Sequence, residues 1–134
     1  MKITSEQEMI ELGREYGRAL SAPAVIELLG DVGAGKTTFT RGLAEGLGAK
    51  EPVTSPSFTI SKSYALPNNK TLVHYDFYRL PDPGLMSEDL SESINNPNNI
   101  VIIEWADSVA DLLPNNHKTI TIKYNDDGTR KVSL

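Results

Sequence analysis

The sequence predicts a single α/β domain of three layers, whose central sheet is mixed and contains antiparallel hairpins. Three observations predict it. Apolar strand runs at 24–29 and 100–103 are interleaved with segments whose apolar residues recur three to four apart, the pattern that lays helices on both faces of a sheet. Two pairs of alternating segments flank polar turns and so pair antiparallel. The chain has 134 residues, so 1–134 reads as one domain with one core.

The elements follow in chain order. Ser5 and Glu8 have capping-box spacing, and Met9, Ile10, Leu12, Tyr16 and Leu20 continue at helical intervals, which predicts an amphipathic helix before the first strand. Strand 24–29 follows, then a glycine-rich turn, then a helix over 38–47 that Gly48 ends. Pro52 and Pro56 hold 51–56 extended. Segment 58–64 alternates as a strand, with Phe58, Ile60 and Tyr64 on one side and Thr59 and Ser61 on the other. A turn at Pro67-Asn68-Asn69-Lys70 leads into a returning strand over 71–77. Asp82-Pro83-Gly84 breaks the chain before a short helix over 87–94 capped by Ser87. The asparagine-rich stretch 95–99 is a polar loop before the buried strand 100–103. Residues 106–113 read as helical, and 119–124 with 130–134 close a second hairpin around Asp126-Asp127-Gly128.

Chemistry concentrates in the turn after the first long strand. Gly30-Asp31-Val32-Gly33-Ala34-Gly35-Lys36-Thr37 is a complete G-x-x-x-x-G-K-[ST] phosphate-binding loop between a strand and a helix, where its mechanism needs it. The glycines let successive N–H groups approach phosphate oxygens without a clashing side chain. Lys36 reaches the β and γ phosphates, the Thr37 hydroxyl is the first expected magnesium ligand, and Thr38 faces the α phosphate. The helix that starts here aims its positive end at the anion. Asp31, Val32, Gly33, Ala34, Gly35, Lys36, Thr37 and Thr38 are therefore expected to bind a nucleoside triphosphate, and the fold to be that of a P-loop NTPase.

Hydrolysis needs a further carboxylate beside the metal and a means of orienting water. Glu104 closes the apolar strand 100–103 as a Walker B acid does, and Asp76 closes 71–75. Glu104 ranks first, and Lys36, Glu104 and Asp76 are the expected catalytic residues. Thr54-Ser55-Pro56-Ser57-Phe58 occupies the place of a switch segment sensitive to the γ phosphate, or of a plain loop into a strand. His74 reads as a structural hydrogen-bonding residue rather than a base. Arg79 either neutralises phosphate charge or pairs with an acid. Trp105, the single tryptophan, reads as core filler.

Composition narrows the class. A formal net charge of -5 argues against gripping nucleic acid unaided, so any role with RNA is indirect. The chain has no cysteine, which removes disulfides and thiolate metal sites. No apolar leader opens it, and no run approaches the roughly 18 residues of a membrane span, which predicts a cytoplasmic protein.

The phosphate loop with Thr38, Thr54-Ser55-Pro56-Ser57-Phe58, His74-Tyr75-Asp76-Phe77-Tyr78-Arg79-Leu80 and Ile103-Glu104-Trp105 resemble, in that order, the signature blocks of the TsaE family, formerly YjeE. The loop is common to many ATPases; the Asp-x-Tyr-Arg block and the Glu-Trp pair are far more specific. The resemblance implies a bacterial ATPase, with ATP and Mg2+ as cofactors, that works with TsaB and TsaD to make threonylcarbamoyladenosine beside the tRNA anticodon. It implies no transfer of the group by this subunit, and contact with tRNA only through the complex. It also implies magnesium held by Thr37 and Glu104, and the adenine side cradled by Ser5 or Glu6 and by Arg130.

Two rival classes share the loop. A small-molecule or nucleoside kinase needs a lid with arginines, and 82–99 contains none. A GTP switch needs Asn-Lys-x-Asp, whereas Asn69-Lys70 is followed by Thr71-Leu72. A nucleotide-binding scaffold without turnover is the non-enzymatic alternative.

Overall fold

The computed structural model describes residues 1–31, 33–54, 61–78 and 84–134. Val32, Arg79, most of the expected switch segment, the start of the strand expected at 58–64 and the Asp82-Pro83 break lie outside the described residues.

Strands β1 (Lys2–Ile3), β2 (Ala24–Leu29), β3 (Ser61–Ala65), β4 (Thr71–Asp76), β5 (Asn99–Glu104), β6 (Lys118–Tyr124) and β7 (Arg130–Ser133) form one sheet in the order β1-β7-β6-β2-β5-β4-β3. The centre, β6-β2-β5-β4, is parallel, and antiparallel pairs β3/β4, β6/β7 and β1/β7 extend it on both sides. The sheet is mixed because hairpins flank a parallel core, as the sequence pattern predicts.

Helices α1 (Glu6–Arg18) and α2 (Lys36–Leu47) cover one face, and α3 (Leu85–Asn95) with a 3-10 segment (Ala106–Leu112) covers the other. Strand alternation distributes the two cores. Ile26, Leu28, Ile100, Ile102, Ile120 and Ile122 pack with Met9, Leu12, Phe39 and Leu43, while Val25, Val101 and Ile103 pack with Leu90 and Val109 on the opposite side. β5 is buried on both faces along its whole length, which is why it reads as an unbroken apolar run.

α1 begins as the capping spacing predicts, with the Ser5 hydroxyl accepting from the Glu8 amide at 3.1 Å. The reciprocal half of the box goes one residue further back. The Glu8 carboxylate accepts from the Thr4 amide at 3.0 Å and the Thr4 hydroxyl at 2.6 Å. α1 and α2 then meet backbone to backbone, because a Cβ at Gly42 would stand 2.1 Å from the Ile10 carbonyl oxygen.

Several local expectations change. α3 starts at Leu85 with Gly84 as its cap residue, so Ser87 lies inside the first turn and its hydroxyl donates to the Gly84 carbonyl at 2.7 Å. Asn99 belongs to β5 rather than to the polar loop, its side-chain amide donating to the Ser93 carbonyl at 3.1 Å. The helical stretch after Trp105 is 3-10 throughout. β1 has too few residues to show a period, and register with β7 creates it. Among the described residues no helix is long and apolar enough to cross a membrane.

Candidate functional site

β2 delivers the chain into the glycine turn and α2 takes it out. Gly35, the residue before α2, has φ +108, and Gly33 has φ +81, conformations that side-chain-bearing residues rarely adopt. No side chain caps α2, and its first residues, Lys36, Thr37 and Thr38, line a cavity.

The two candidate acids arrive from neighbouring strands. β4 and β5 run parallel with Asp76 directly opposite Glu104, and Leu28 of β2 stands opposite Glu104 on its other side. Parallel register thus gathers both carboxylates at the carboxyl edge of the sheet, beside the glycine turn.

Lys36 is buried there, 6% exposed. Its ammonium donates to the Gly30 carbonyl at 2.6 Å, lies 3.7 Å from Glu104 Oε1, and sits 4.1 Å from the centre of the Trp105 ring. Glu104 is 4% exposed, and its other oxygen, Oε2, is 2.6 Å from Nε2 of the fully buried His74. Asp76 is half-buried and accepts from the Tyr78 amide at 2.9 Å. Burial holds its carboxyl above the usual range against the pull of that amide, and the negative charge of Glu104 raises it further.

These groups line a cavity of about 460 Å³. It is lined by Gly33, Gly35, Lys36, Thr37 and Thr38 of the turn and the start of α2, by Asp76, Tyr78, Glu104 and Trp105 at and beyond the ends of β4 and β5, and by Ser5, Glu6, Met9 and Arg130 from the start of α1 and from β7. The expected phosphate, catalytic and adenine-side residues therefore surround one space. Two loop residues stand apart from the lining. Asp31 is exposed and its carbonyl accepts from the Ala34 amide at 3.0 Å, while Ala34 is buried against the core. Both shape the turn.

Arg130 reaches the site through the loop itself. Its Nε donates to the Ala34 carbonyl at 2.9 Å, and its guanidinium lies 4.5 Å from the centre of the Tyr124 ring. The Tyr124 hydroxyl donates to the Gly33 carbonyl. The β6–β7 hairpin thus clamps the turn by two of its carbonyls. Sequence reasoning missed Tyr124, Met9 and Tyr78 as site residues, since each looks like ordinary strand or helix filler. Trp105 is corrected from core filler to a cavity wall. It packs on the core and also faces Lys36, because φ +56 at this residue turns the chain sharply off β5.

The donor set fits magnesium. Thr37, Asp76 and Glu104 supply hard oxygens to the cavity, and magnesium takes few protein ligands alongside phosphate and water. Among the described residues no group of three or more His, Cys, Asp or Glu could hold a metal by side chains alone.

A family model described as "Threonylcarbamoyl adenosine biosynthesis protein TsaE" matches residues 3–132. A Nostoc protein named tRNA threonylcarbamoyladenosine biosynthesis protein TsaE is 35% identical over 135 residues, covering 98% of this chain and 82% of the relative. A Bacillus subtilis protein of the same name is 42% identical over 114 residues, covering 82% of this chain and 68% of the relative. The crystal structure of Bacillus subtilis YdiB superposes with a TM-score of 0.77 at 32% identity, over 98% of this chain and 80% of that one. With a family match over nearly its whole length, the chain belongs to the TsaE family.

Proposed function

We propose that this chain is an ATP-binding and ATP-hydrolysing subunit required for threonylcarbamoyladenosine modification of tRNA, acting on a TsaB–TsaD complex rather than transferring the group itself. One observation carries the reading. Lys36 and Glu104 stand 3.7 Å apart, both nearly water-excluded, at the junction of the glycine turn and the carboxyl end of β5. An ion pair buried this well is costly as mere support, but it holds a cation and an acid where a triphosphate and its metal would separate them.

The residues divide the work. Turn amides and Lys36 bind the phosphates, displacing the ammonium from the Gly30 carbonyl. Thr37 and Glu104 would hold magnesium, with Asp76 opposite Glu104 placed to orient water. When bound, magnesium neutralises charge that develops on the transferred phosphoryl oxygens. Ser5, Glu6 and Arg130 line the same cavity and are proposed to hold the base. The family description and the names of the relatives support a role in tRNA modification, and adenine as the base and TsaB and TsaD as partners are proposed on the resemblance of the signature blocks.

The test is ATP turnover by the purified chain, alone and with TsaB and TsaD. Slow magnesium-dependent release of phosphate, abolished in Lys36→Ala and Glu104→Ala and altered by the partners, supports the proposal. Nucleotide binding without turnover under every condition would leave a scaffold. A phosphorylated small molecule formed in step with ADP would make it a kinase.

A further inference from the structure

His74 is fully buried on β4, yet among the described residues only one of its ring nitrogens has a hydrogen-bond partner. Nε2 stands 2.6 Å from Glu104 Oε2, and Nδ1 has no hydrogen-bond partner among the described residues. A buried polar atom left in that condition costs roughly 1–3 kcal/mol. An apolar side chain would fill this place without that cost, so the contact that His74 does make sets its use.

β4 and β5 explain how it reaches. Leu72, His74 and Asp76 share the face of β4 that looks toward α1 and α2, and Ile100, Ile102 and Glu104 share the same face of β5. His74 pairs with Ile102, so its ring lies one pleat below Glu104 and passes under the carboxylate. An ionised carboxylate only accepts, so Nε2 carries the hydrogen and donates it.

From this geometry we infer that His74 is a positioning residue, whose Nε2–H pins one oxygen of Glu104 and leaves Oε1 turned to the cavity. The need for it lies 3.7 Å away. With no donor behind it, the carboxylate would close further on the Lys36 ammonium and tighten the loose ion pair already present, so that acid and lysine neutralise each other instead of a metal and a phosphate. His74 holds the acid back. Groups that hydrogen-bond a metal's ligands typically change metal affinity by about 10–100-fold when lost.

This inference rests on the proposed binding of nucleotide with magnesium. ADP affinity is measured by calorimetry on the full chain, once in magnesium and once in EDTA. The wild-type chain is expected to bind more tightly in magnesium. His74→Leu is expected to lose that gain by about 10–100-fold while keeping its affinity in EDTA. His74→Gln, whose side-chain N–H has a similar reach, is expected to retain the gain. A wild-type chain with no gain from magnesium overturns the parent reading and this one together. A gain fully kept in His74→Leu overturns this one alone. Should His74→Leu fail to fold, His74→Gln decides: a folded variant that keeps the gain supports the inference, and one that loses it overturns it.

Discussion

The Lys36 ammonium lies 4.1 Å from the centre of the Trp105 ring. Trp105 is the single tryptophan, so the cation proposed to bind phosphate sits on the one residue that dominates the protein's ultraviolet emission. A cation over an aromatic face is held by the ring's quadrupole, here with Tyr78 packed against the other part of the ring at 4.8 Å. A phosphate that draws the ammonium off the ring changes the indole's field. Adding ADP is therefore expected to shift or quench Trp105 emission, and Lys36→Met is expected to show an altered spectrum without ligand and little response to it. An unchanged wild-type spectrum at saturating ADP would mean the lysine stays on the ring.

Tyr124 offers a cleaner division between binding the loop and binding the base. Its hydroxyl donates to the Gly33 carbonyl, while its ring carries the Arg130 guanidinium at 4.5 Å. Tyr124→Phe keeps the ring and removes the hydroxyl, which releases the Gly33 peptide plane and also the Arg130 guanidinium that donates to that hydroxyl at 3.0 Å. Each net hydrogen bond is worth about 0.5–1.5 kcal/mol, so loss of the one that holds the turn should by itself lower ADP affinity by roughly two- to tenfold. Adenosine, which has no phosphates, should lose less, because Arg130 keeps its bond to the Ala34 carbonyl and its place on the ring. A parallel loss for adenosine would place Tyr124 against the base and not against the turn.

What was legible in the sequence was whatever a short window carries. The glycine turn, the apolar run ending at Glu104, the Ser5 cap and the two hairpins each have local signatures, and each is present. What escaped depends on register between distant segments. β1 exists only because Lys2 and Ile3 pair with Lys131 and Arg130, and no pattern in two residues announces that. Tyr124 meets Gly33 across 91 residues, and His74 meets Glu104 across 30. Trp105 was misread because strand alternation places it opposite Glu104, whereas its positive φ ends the alternation at that point. Ser87 was misread as a cap because its residue type fits either position, and the glycine three residues before it sets where the helix starts.

Gly42 tests how closely the two helices beneath the site must approach. In an exposed helix, alanine is favoured over glycine by about 1 kcal/mol, so propensity alone predicts that Gly42→Ala stabilises α2. Packing predicts the opposite. The added Cβ would stand 2.1 Å from the Ile10 carbonyl oxygen and 2.9 Å from its carbonyl carbon, both backbone atoms that no rotamer change can move. α1 has to shift away, opening contacts around Phe39 and Leu43, which are fully buried. Overpacking of this kind costs about 1–3 kcal/mol and outweighs the gain in propensity, so the thermal midpoint should fall by several degrees. The effect should also reach the ligand, because α1 carries Met9 and α2 begins at Lys36, and both line the cavity. ADP affinity is expected to weaken in the variant even where it remains folded. A midpoint that rises would show that the helices stand far enough apart for propensity to win, and that the closeness of α1 to α2 has no part in shaping the site.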